Sequence, residues 1–292
     1  MEIAHIVNPV LADPSSDLYT AQPITFETMR RARAYAAPHL KINLFSAQFA
    51  WDETAAPAGF ARTADLTRSV LDVAQFKIPR QLPLLADILD RLYQQSQAEY
   101  FIYTNVDIAL QPSFYVAVHG YIQDGFDSFV INRRTIDARY ATIGELDEMY
   151  SDHGIAHRGW DCFIFPSHFC PRFRLYDVCL GASRVGLALL SNLVALSHNF
   201  YEFKEEYLTF HIGDEQSWRQ REYADYSVHN TVQLMRILSE LEEEHGAFPP
   251  DSIPGSFLFR KRHFGSLYEA WARNVYLPAG LRQILDRLTG RG

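Results

Sequence analysis

One stretch, from Ala98 to Tyr115, constrains the fold more than any other part of this 292-residue chain. It starts with an unbroken apolar run, Tyr100 to Tyr103, which is long enough for one strand buried on both faces. Polar side chains follow where that strand would end, and a proline and a serine then indicate the start of a helix. Open α/β sheets bind ligands beyond the carboxyl ends of such strands. The stretch therefore predicts a buried parallel strand with a ligand site at its end.

Asn105 and Asp107 are the polar residues at this strand end, and Val106 separates them. In an extended chain the two polar side chains point the same way, while Val106 points into the protein. Oxygen ligands arranged in this way suit a hard cation such as Mg²⁺ or Mn²⁺ that is shared with substrate phosphates. A simpler interpretation stays open, in which the two residues only cap the turn into the next helix.

The segment FIYTNVDI resembles the DxD segment of the GT-A glycosyltransferases of bacterial type, with Asn105 in place of the first aspartate. The resemblance implies a Rossmann-like GT-A fold that transfers a sugar from a nucleotide-diphosphate sugar, with UDP or GDP as the nucleotide. It also implies a divalent cation, Mn²⁺ or Mg²⁺, held by Asp107 with help from Asn105. An asparagine carbonyl is a weaker cation ligand than a carboxylate, so a non-catalytic sugar- or nucleotide-binding domain of the same fold stays open.

Strands and helices alternate along the rest of the chain. The further predicted strands are Ile3–Val10, Lys41–Phe49, Ser128–Asn132, Trp160–Pro166 and Tyr207–His211. The predicted helices are Thr25–Ala37, Leu82–Tyr93, Phe114–Ile122, Glu145–Tyr150, Ser183–Leu196, Thr231–Glu244 and Leu281–Leu288. A β-α-β unit at this spacing implies a parallel pair with a right-handed crossover. The alternation predicts a three-layer α/β/α sandwich with a mainly parallel central sheet.

The domain organisation is predicted to be simple, because we find neither an internal repeat nor a low-complexity linker. Residues 1–248 form the expected catalytic domain, and residues 249–292 form a C-terminal helical extension packed on it. The segment from Trp51 to Asp65 is rich in alanine, proline, threonine and aspartate, so we expect an exposed, mobile loop there.

Two further groups at predicted strand ends fit a nucleotide sugar. Asn8 ends the first strand and would lie level with Asn105. Arg133 and Arg134 follow another strand, and their planar guanidinium groups suit a diphosphate. Neighbours on a strand point in opposite directions, so at most one arginine faces the site. A surface ion pair with Asp137 or Glu145 is the alternative.

The segment GWDCFIFP places Trp160 and Asp161 at the start of an apolar strand. An aromatic face beside a carboxylate suggests a sugar pocket, in which Asp161 bonds to hydroxyl groups. The segment resembles the one after the DxD strand of GT-A enzymes, which implies that Asp161 is a catalytic residue that contacts the sugar or takes the acceptor proton. The alternative is that Asp161 caps its strand or pairs with Arg158.

His211 and Asp214 lie in the segment TFHIGD, at the end of the last predicted strand. A late histidine completes the metal site in several GT-A families, so the resemblance implies that role for His211. Asp214 is a second candidate ligand or a partner that orients the imidazole. A histidine that only satisfies local hydrogen bonds at a strand end is the alternative.

Composition excludes some partners. The formal net charge of −8 argues against nucleic acid, because binding a phosphate backbone requires a concentrated basic surface. Three closely spaced cysteines support neither a disulfide framework nor a zinc site, which favours a reducing cytoplasm. We see neither a signal peptide nor an apolar run of the ~20 residues that span a bilayer. The acceptor is left open as a sugar, a lipid or a protein.

A nucleotidyltransferase of related fold is a further alternative. Such enzymes carry a glycine-rich basic loop after the first strand, whereas this chain reads NPVLADPSSD there.

Overall fold

The strand predicted at Tyr100 lies at the centre of a seven-stranded sheet in the computed structural model, which describes residues 1–214, 220–259 and 261–262. The strands are β1 (Glu2–Val7), β2 (Lys41–Ser46), β3 (Ala61–Arg62), β4 (Tyr100–Thr104), β5 (Ala109–Leu110), β6 (Ser128–Ile131), β7 (Arg134–Ile136), β8 (Ile155–Ala156), β9 (Cys162–Pro166), β10 (Phe200–Phe203) and β11 (Thr209–Ile212). The α-helices are α1 (Asp17–Ala36), α2 (Leu85–Gln95), α3 (Phe114–Gln123), α4 (Leu146–Ser151), α5 (Val185–Leu196) and α6 (Ala224–His245).

The central sheet has the strand order β10-β6-β9-β4-β1-β2-β3. The pairs β1–β2, β1–β4, β2–β3 and β10–β6 are parallel, as the β-α-β spacing predicts. Only β9 runs the other way in this sheet, and it lies antiparallel to both β4 and β6. The carboxyl ends of β4, β1, β2 and β6 therefore meet at one edge, together with the start of β9.

Helices cover both faces of this sheet, which confirms the predicted three-layer architecture. On one face α2, α5 and α6 pack on a core that includes Tyr103, Val130 and Phe163. On the other face α1 and α3 pack on residues that include Ile102 and Phe129. Because successive residues of a strand point to opposite faces, each apolar strand contributes to both cores. Burying both faces explains why these strands read as continuous apolar runs.

A second sheet, which the sequence did not predict, has the order β5-β11-β7-β8. It packs around a smaller apolar cluster that includes Ile136 and Phe210. Its strands have only two to four residues each, too short for a visible alternation pattern. Strand β11, predicted as Tyr207–His211, belongs to this sheet and brings His211 to the edge where β4 ends.

Several predicted boundaries were wrong. Helix α1 starts eight residues before Thr25, and Ser16 caps it by accepting a hydrogen bond from the amide of Leu18 at 3.3 Å. Pro23 lies inside the helix and lacks the amide N–H that helices use, so the local pattern did not indicate a helix there. Pro83 precedes α2 instead of lying in its first turn.

Two segments predicted as extended or open also differ. The residues after β4 form a turn, which the amide of Ile108 closes onto the carbonyl of Asn105 at 3.2 Å, so strand alternation does not set their directions. Between Trp51 and Asp65 the chain forms a 3₁₀ turn and the short strand β3, and Asp52 is buried. That segment is therefore partly built into the fold.

No helix among the described residues is long and apolar enough to cross a membrane. The predicted helix Leu281–Leu288, and most of the predicted extension 249–292, lie outside the described residues.

Candidate functional site

Asp161 and Arg133 form a buried ion pair at the carboxyl edge of the central sheet. Arg133 follows β6 and Asp161 precedes β9, and these two strands are neighbours. Nη1 of Arg133 donates to Oδ2 of Asp161 at 2.5 Å, and the two side chains are only 10% and 13% exposed. Arg133 thus pairs with Asp161 in the interior and not with Asp137 or Glu145 at the surface.

Asn105 connects this ion pair to the end of β4. Its Nδ2 donates to Oδ1 of Asp161 at 3.0 Å, and its Oδ1 accepts from the hydroxyl of Tyr103 at 3.1 Å. Its backbone amide also donates to the carbonyl of Asp161 at 3.2 Å. Both ends of the Asn105 amide are thus engaged within the protein. An aspartate at this position would place a second carboxylate against Asp161, so the asparagine fits the arrangement electrostatically.

Asp107 and His211 form the second pair of the site. Nε2 of His211 lies 3.3 Å from Oδ2 of Asp107, while Nδ1 lies 2.7 Å from the carbonyl oxygen of Gly213. His211 is 3% exposed. Burial works to lower the pKa of His211, but the hydrogen bond and charge of Asp107 outweigh it and raise that pKa above its ordinary value. Burial likewise works to raise the pKa of Asp107, and His211 and Arg133 together lower it.

The donor set of Asp107 and His211 fits a divalent cation. Oδ1 of Asp107 is inaccessible to solvent, and no group in the described part of the chain hydrogen-bonds to it. An unpaired buried carboxylate oxygen is costly, so an oxygen in this position points to a missing partner. The described residues contain no group of three or more His, Cys, Asp and Glu side chains that could hold a metal. Mg²⁺ in phosphate-binding sites commonly has one or two protein ligands, with substrate oxygens and water completing the shell.

Asp214 lies near the ion pair of Arg133 and Asp161. Its Oδ1 is 3.9 Å from Nη2 of Arg133 and 3.8 Å from Nε2 of His157, and its side chain is 54% exposed. The Nε of Arg133 is buried, and no hydrogen-bond partner for it occurs among the described residues. Among the described residues, the guanidinium of Arg133 therefore pairs closely with Asp161 through Nη1, while Nη2 lies 3.9 Å from Asp214 at the edge of the site.

Trp160 is held at both its backbone and its ring. Nε1 of its indole donates to Oε1 of Glu202 at 2.9 Å. Its backbone lies against Gly186, in the first turn of α5, where a β-carbon would come within 2.6 Å of the carbonyl oxygen of Trp160. The glycine is thus required for this close approach between α5 and the residues before β9.

The structure does not bring Asn8 and Arg134 into these contacts. Asn8 is buried, and its Nδ2 donates to the carbonyl of Ala47 at 2.7 Å, which joins the ends of β1 and β2. Arg134 opens β7 and donates to the carbonyls of His153 and Gly154. The two adjacent arginines therefore have different partners, and Arg133 is the one that pairs with Asp161.

Sequence reasoning missed polar residues near the ends of β1 and β2. Gln48 is 1% exposed, and neither polar atom of its side chain has a hydrogen-bond partner among the described residues. Asp52 accepts from the amide of Leu11 at 2.9 Å, and burial raises its pKa. Trp51 is 53% exposed and stacks on Phe49. The sequence feature that could have indicated these residues is Gln48 itself, a polar residue two positions after the end of the buried strand β2.

Comparisons with known proteins bear on the fold. No family model matches the chain, and no curated protein matches its sequence. Among solved structures it is similar to the mannosyltransferase PcManGT from Pyrobaculum calidifontis in complex with GDP-Man and Mn²⁺, with 11% identity and a TM-score of 0.51, over 99% of this chain and 80% of that one. It also matches S. aureus TarS 1–349 in complex with UDP-GlcNAc, with 8% identity and a TM-score of 0.46, over 94% of this chain and 78% of that one.

A further match is M. tuberculosis glucosyl-3-phosphoglycerate synthase, with 10% identity and a TM-score of 0.42, over 85% of this chain and 82% of that one. Identities this low establish only a shared architecture. The chain has the GT-A type of fold found in nucleotide-sugar transferases, as the resemblance around Asn105 and Asp107 implies.

Proposed function

We propose that this chain is a GT-A glycosyltransferase that moves a sugar from a UDP or GDP sugar to an acceptor, with a divalent metal at the diphosphate. The observation that carries the proposal is Asp107, whose buried Oδ1 has no partner among the described residues while Oδ2 faces His211. This pair lies where β4 ends, at the edge where open α/β sheets bind ligands. The similar mannosyltransferase was solved with GDP-Man and Mn²⁺, which supports the same chemical class here.

Asp107 and His211 would hold the metal, Mn²⁺ or Mg²⁺. When bound, the metal acts as a Lewis acid that neutralises charge on the diphosphate leaving group. Asn105 keeps its amide on Asp161 and Tyr103 and thereby fixes the turn that carries Asp107. Asp214 is exposed and would either bind the metal as an additional ligand or pair with Arg133, which faces the diphosphate.

Arg133 would bind the diphosphate through the donors that Asp161 does not use. Asp161 has both oxygens engaged, one by Arg133 and one by Asn105. Of its two predicted roles, contact with the donor sugar is the one we propose, because the two hydrogen bonds hold the carboxylate in one orientation beside Arg133 and leave lone pairs for a sugar hydroxyl. Trp160, which immediately precedes Asp161, would pack against the sugar ring.

The nucleoside would lie over the ends of β1 and β2. The exposed ring of Trp51 offers a stacking surface for a base. Asn8 would act here by holding these two strand ends together, and Arg134 would keep the loop before β8 in place.

Calorimetric titration of UDP and GDP in the presence of Mn²⁺, and again with EDTA, tests the proposal. We expect micromolar binding of one nucleotide that weakens at least about tenfold in EDTA and in Asp107→Ala, which removes the main metal ligand. Asp124→Ala, an exposed aspartate at the end of α3, is the matched control and should bind like the wild type.

Three other results would contradict parts of the proposal. Binding that is indifferent to EDTA and to Asp107 would indicate a metal-independent site. Metal-dependent binding of nucleotide sugars without any turnover would favour a binding domain. Binding of neither nucleotide would remove the transferase proposal.

A further inference from the structure

We propose that Glu202 is a positioning residue that fixes the indole ring of Trp160 as the surface on which the donor's sugar ring lies. The inference rests on the proposed function and adds a residue outside every predicted motif. It is carried by the contacts of one half-buried carboxylate at the end of β10, which holds two neighbouring strand ends of the site together.

Oε1 of Glu202 accepts two hydrogen bonds at once. One comes from the indole Nε1 of Trp160 at 2.9 Å, and the other comes from Nδ2 of Asn132 at 3.0 Å. Oε2 lies 3.4 Å from Nζ of Lys204, which is 64% exposed, whereas the Glu202 side chain is only 14% exposed. Two charge-assisted hydrogen bonds on one oxygen hold a carboxylate in a single orientation more firmly than an exposed ion pair does.

The two residues that Glu202 contacts are the chain neighbours of the Arg133–Asp161 ion pair. Asn132 immediately precedes Arg133, and Trp160 immediately precedes Asp161. Glu202 therefore joins the same two chain segments that the Arg133–Asp161 ion pair joins, one residue earlier in each. The Arg133–Asp161 ion pair holds these two segments together on its own, so loss of the Glu202 contacts frees the indole while the ion pair stays in place.

Trp160 is restrained at its backbone and at its ring. Gly186 allows α5 to approach its backbone, and Glu202 holds the nitrogen edge of the indole, which packs on the main apolar core. With Nε1 already used, the part of the ring that is not packed on the core would offer a sugar aromatic surface and not a hydrogen-bond donor. The apolar face of a pyranose ring packs on such a surface, and a ring ordered in advance loses little conformational entropy on binding.

Glutamine at position 202 separates the positioning role from a role of the negative charge. Its side-chain carbonyl oxygen accepts the same two hydrogen bonds as Oε1 of Glu202. Alanine removes both hydrogen bonds. If Glu202 acts through Trp160, Glu202→Gln should resemble the wild type and Glu202→Ala should not.

The experiment compares affinities for a nucleotide with and without its sugar, using UDP against UDP-GlcNAc and GDP against GDP-mannose, with Mn²⁺ throughout. In the wild type we expect the sugar to increase the affinity of one pair. In Glu202→Ala this gain should fall about tenfold, while binding of the bare nucleotide stays unchanged. Glu202→Gln should keep the gain within about twofold, as should Glu205→Ala, an exposed glutamate three residues further on.

Unchanged affinity for the bare nucleotide shows that a variant is folded, and near-ultraviolet circular dichroism reports the altered environment of Trp160 in Glu202→Ala. Three results would overturn this inference alone. The sugar could increase the affinity of Glu202→Ala as much as that of the wild type, or Glu202→Gln could lose as much of this increase as Glu202→Ala. The sugar could also fail to increase the affinity of the wild type for either nucleotide. A wild type that binds neither bare nucleotide would overturn the proposed function and this inference with it.

Discussion

Single residues in the candidate site are arranged so that each charged group is held by another. Arg133 and Asn105 hold Asp161, and His211 holds Asp107. A buried charge without a partner is expensive, and each of these contacts offsets part of the cost of burying its groups. Under the proposed function, a diphosphate at this edge would meet side chains whose positions these contacts already fix. We therefore expect little rearrangement of the site on binding.

His5 shows the opposite case, a titratable residue that is buried without any charged partner. Its ring nitrogens lie 2.9 Å from the hydroxyl of Tyr115 and 2.9 Å from the hydroxyl of Thr104, and it is fully buried inside β1. Burial lowers the pKa of His5 from 6.5 to about 3. The folded protein therefore carries this imidazole in its neutral form at every pH near neutrality.

This burial predicts how stability depends on pH. Below pH 6.5 His5 is protonated in the unfolded chain, whereas in the folded chain it is not protonated until about pH 3. The contribution of His5 to stability is therefore complete above pH 6.5 and falls as the pH is lowered. The slope approaches about 1.4 kcal/mol per pH unit. In urea denaturation between pH 6.5 and 5, the free energy of unfolding should fall with decreasing pH more steeply in the wild type than in His5→Gln, and the difference in slope should approach this value. The exposed His39→Gln is the control, and equal slopes in all three proteins would refute the assignment.

At the level of secondary-structure elements, the site is made by tying together the ends of strands that are distant in sequence. The Arg133–Asp161 ion pair connects β6 to β9, the Asn105 amide connects β9 to β4, and the Asp107–His211 pair connects β4 to β11 of the second sheet. Loops at a sheet edge otherwise have few restraints. We infer that these side chains stabilise the fold as well as the site.

The Arg133–Asp161 ion pair allows a direct test of this structural role. Arg133→Met should lower the free energy of unfolding by about 3 kcal/mol, because it leaves Asp161 buried without its partner. Adding Asp161→Asn should recover a large part of the loss, since the uncompensated charge is then gone. Arg134→Met is the matched control, and its loss should stay below about 1 kcal/mol, because that arginine bonds to loop carbonyls and lies 6.0 Å from the ring of Tyr207, with no buried carboxylate depending on it among the described residues. Equal effects of the two arginine substitutions in urea denaturation would contradict the argument.

The long elements could be predicted from the sequence because their signals are local. The apolar run from Tyr100 to Tyr103 is longer than the two-residue repeat of a strand, and the apolar spacing in α2 is longer than one helical turn. These local patterns were enough to predict the three-layer sandwich and the sheet edge that carries the site. The pairing of Asp161 with Arg133 could not be predicted, because it depends on β9 inserting antiparallel between β4 and β6. The role of Glu202 could not be predicted for the same reason, since its two hydrogen-bond partners lie 42 and 70 residues away in the sequence.

For the whole molecule, the main apolar core extends beyond the last predicted element of the catalytic domain. Phe248, Phe257 and Leu258 are buried in the same cluster as strand residues such as Phe163. The side chain of Arg262 also pairs with Glu242 of α6 at 2.7 Å. The described part of the segment that begins at residue 249 therefore contributes apolar surface to the core formed by α2, α5 and α6, which we expect to make it part of one cooperative unit.

Phe257→Ala tests whether this segment unfolds with the sheet. Phe257 is 5% exposed, and removing a buried phenylalanine ring should lower the free energy of unfolding by about 3 to 4 kcal/mol in a single transition. The neighbouring Phe259 is 53% exposed, so Phe259→Ala should change stability by less than about 0.5 kcal/mol. Urea denaturation would be followed by far-ultraviolet circular dichroism and by tryptophan fluorescence. Coincident curves with a shifted midpoint in Phe257→Ala support one cooperative unit, because both probes then report the same event. An early, separate transition with an unchanged midpoint for the sheet would mean that the segment docks on an already stable domain.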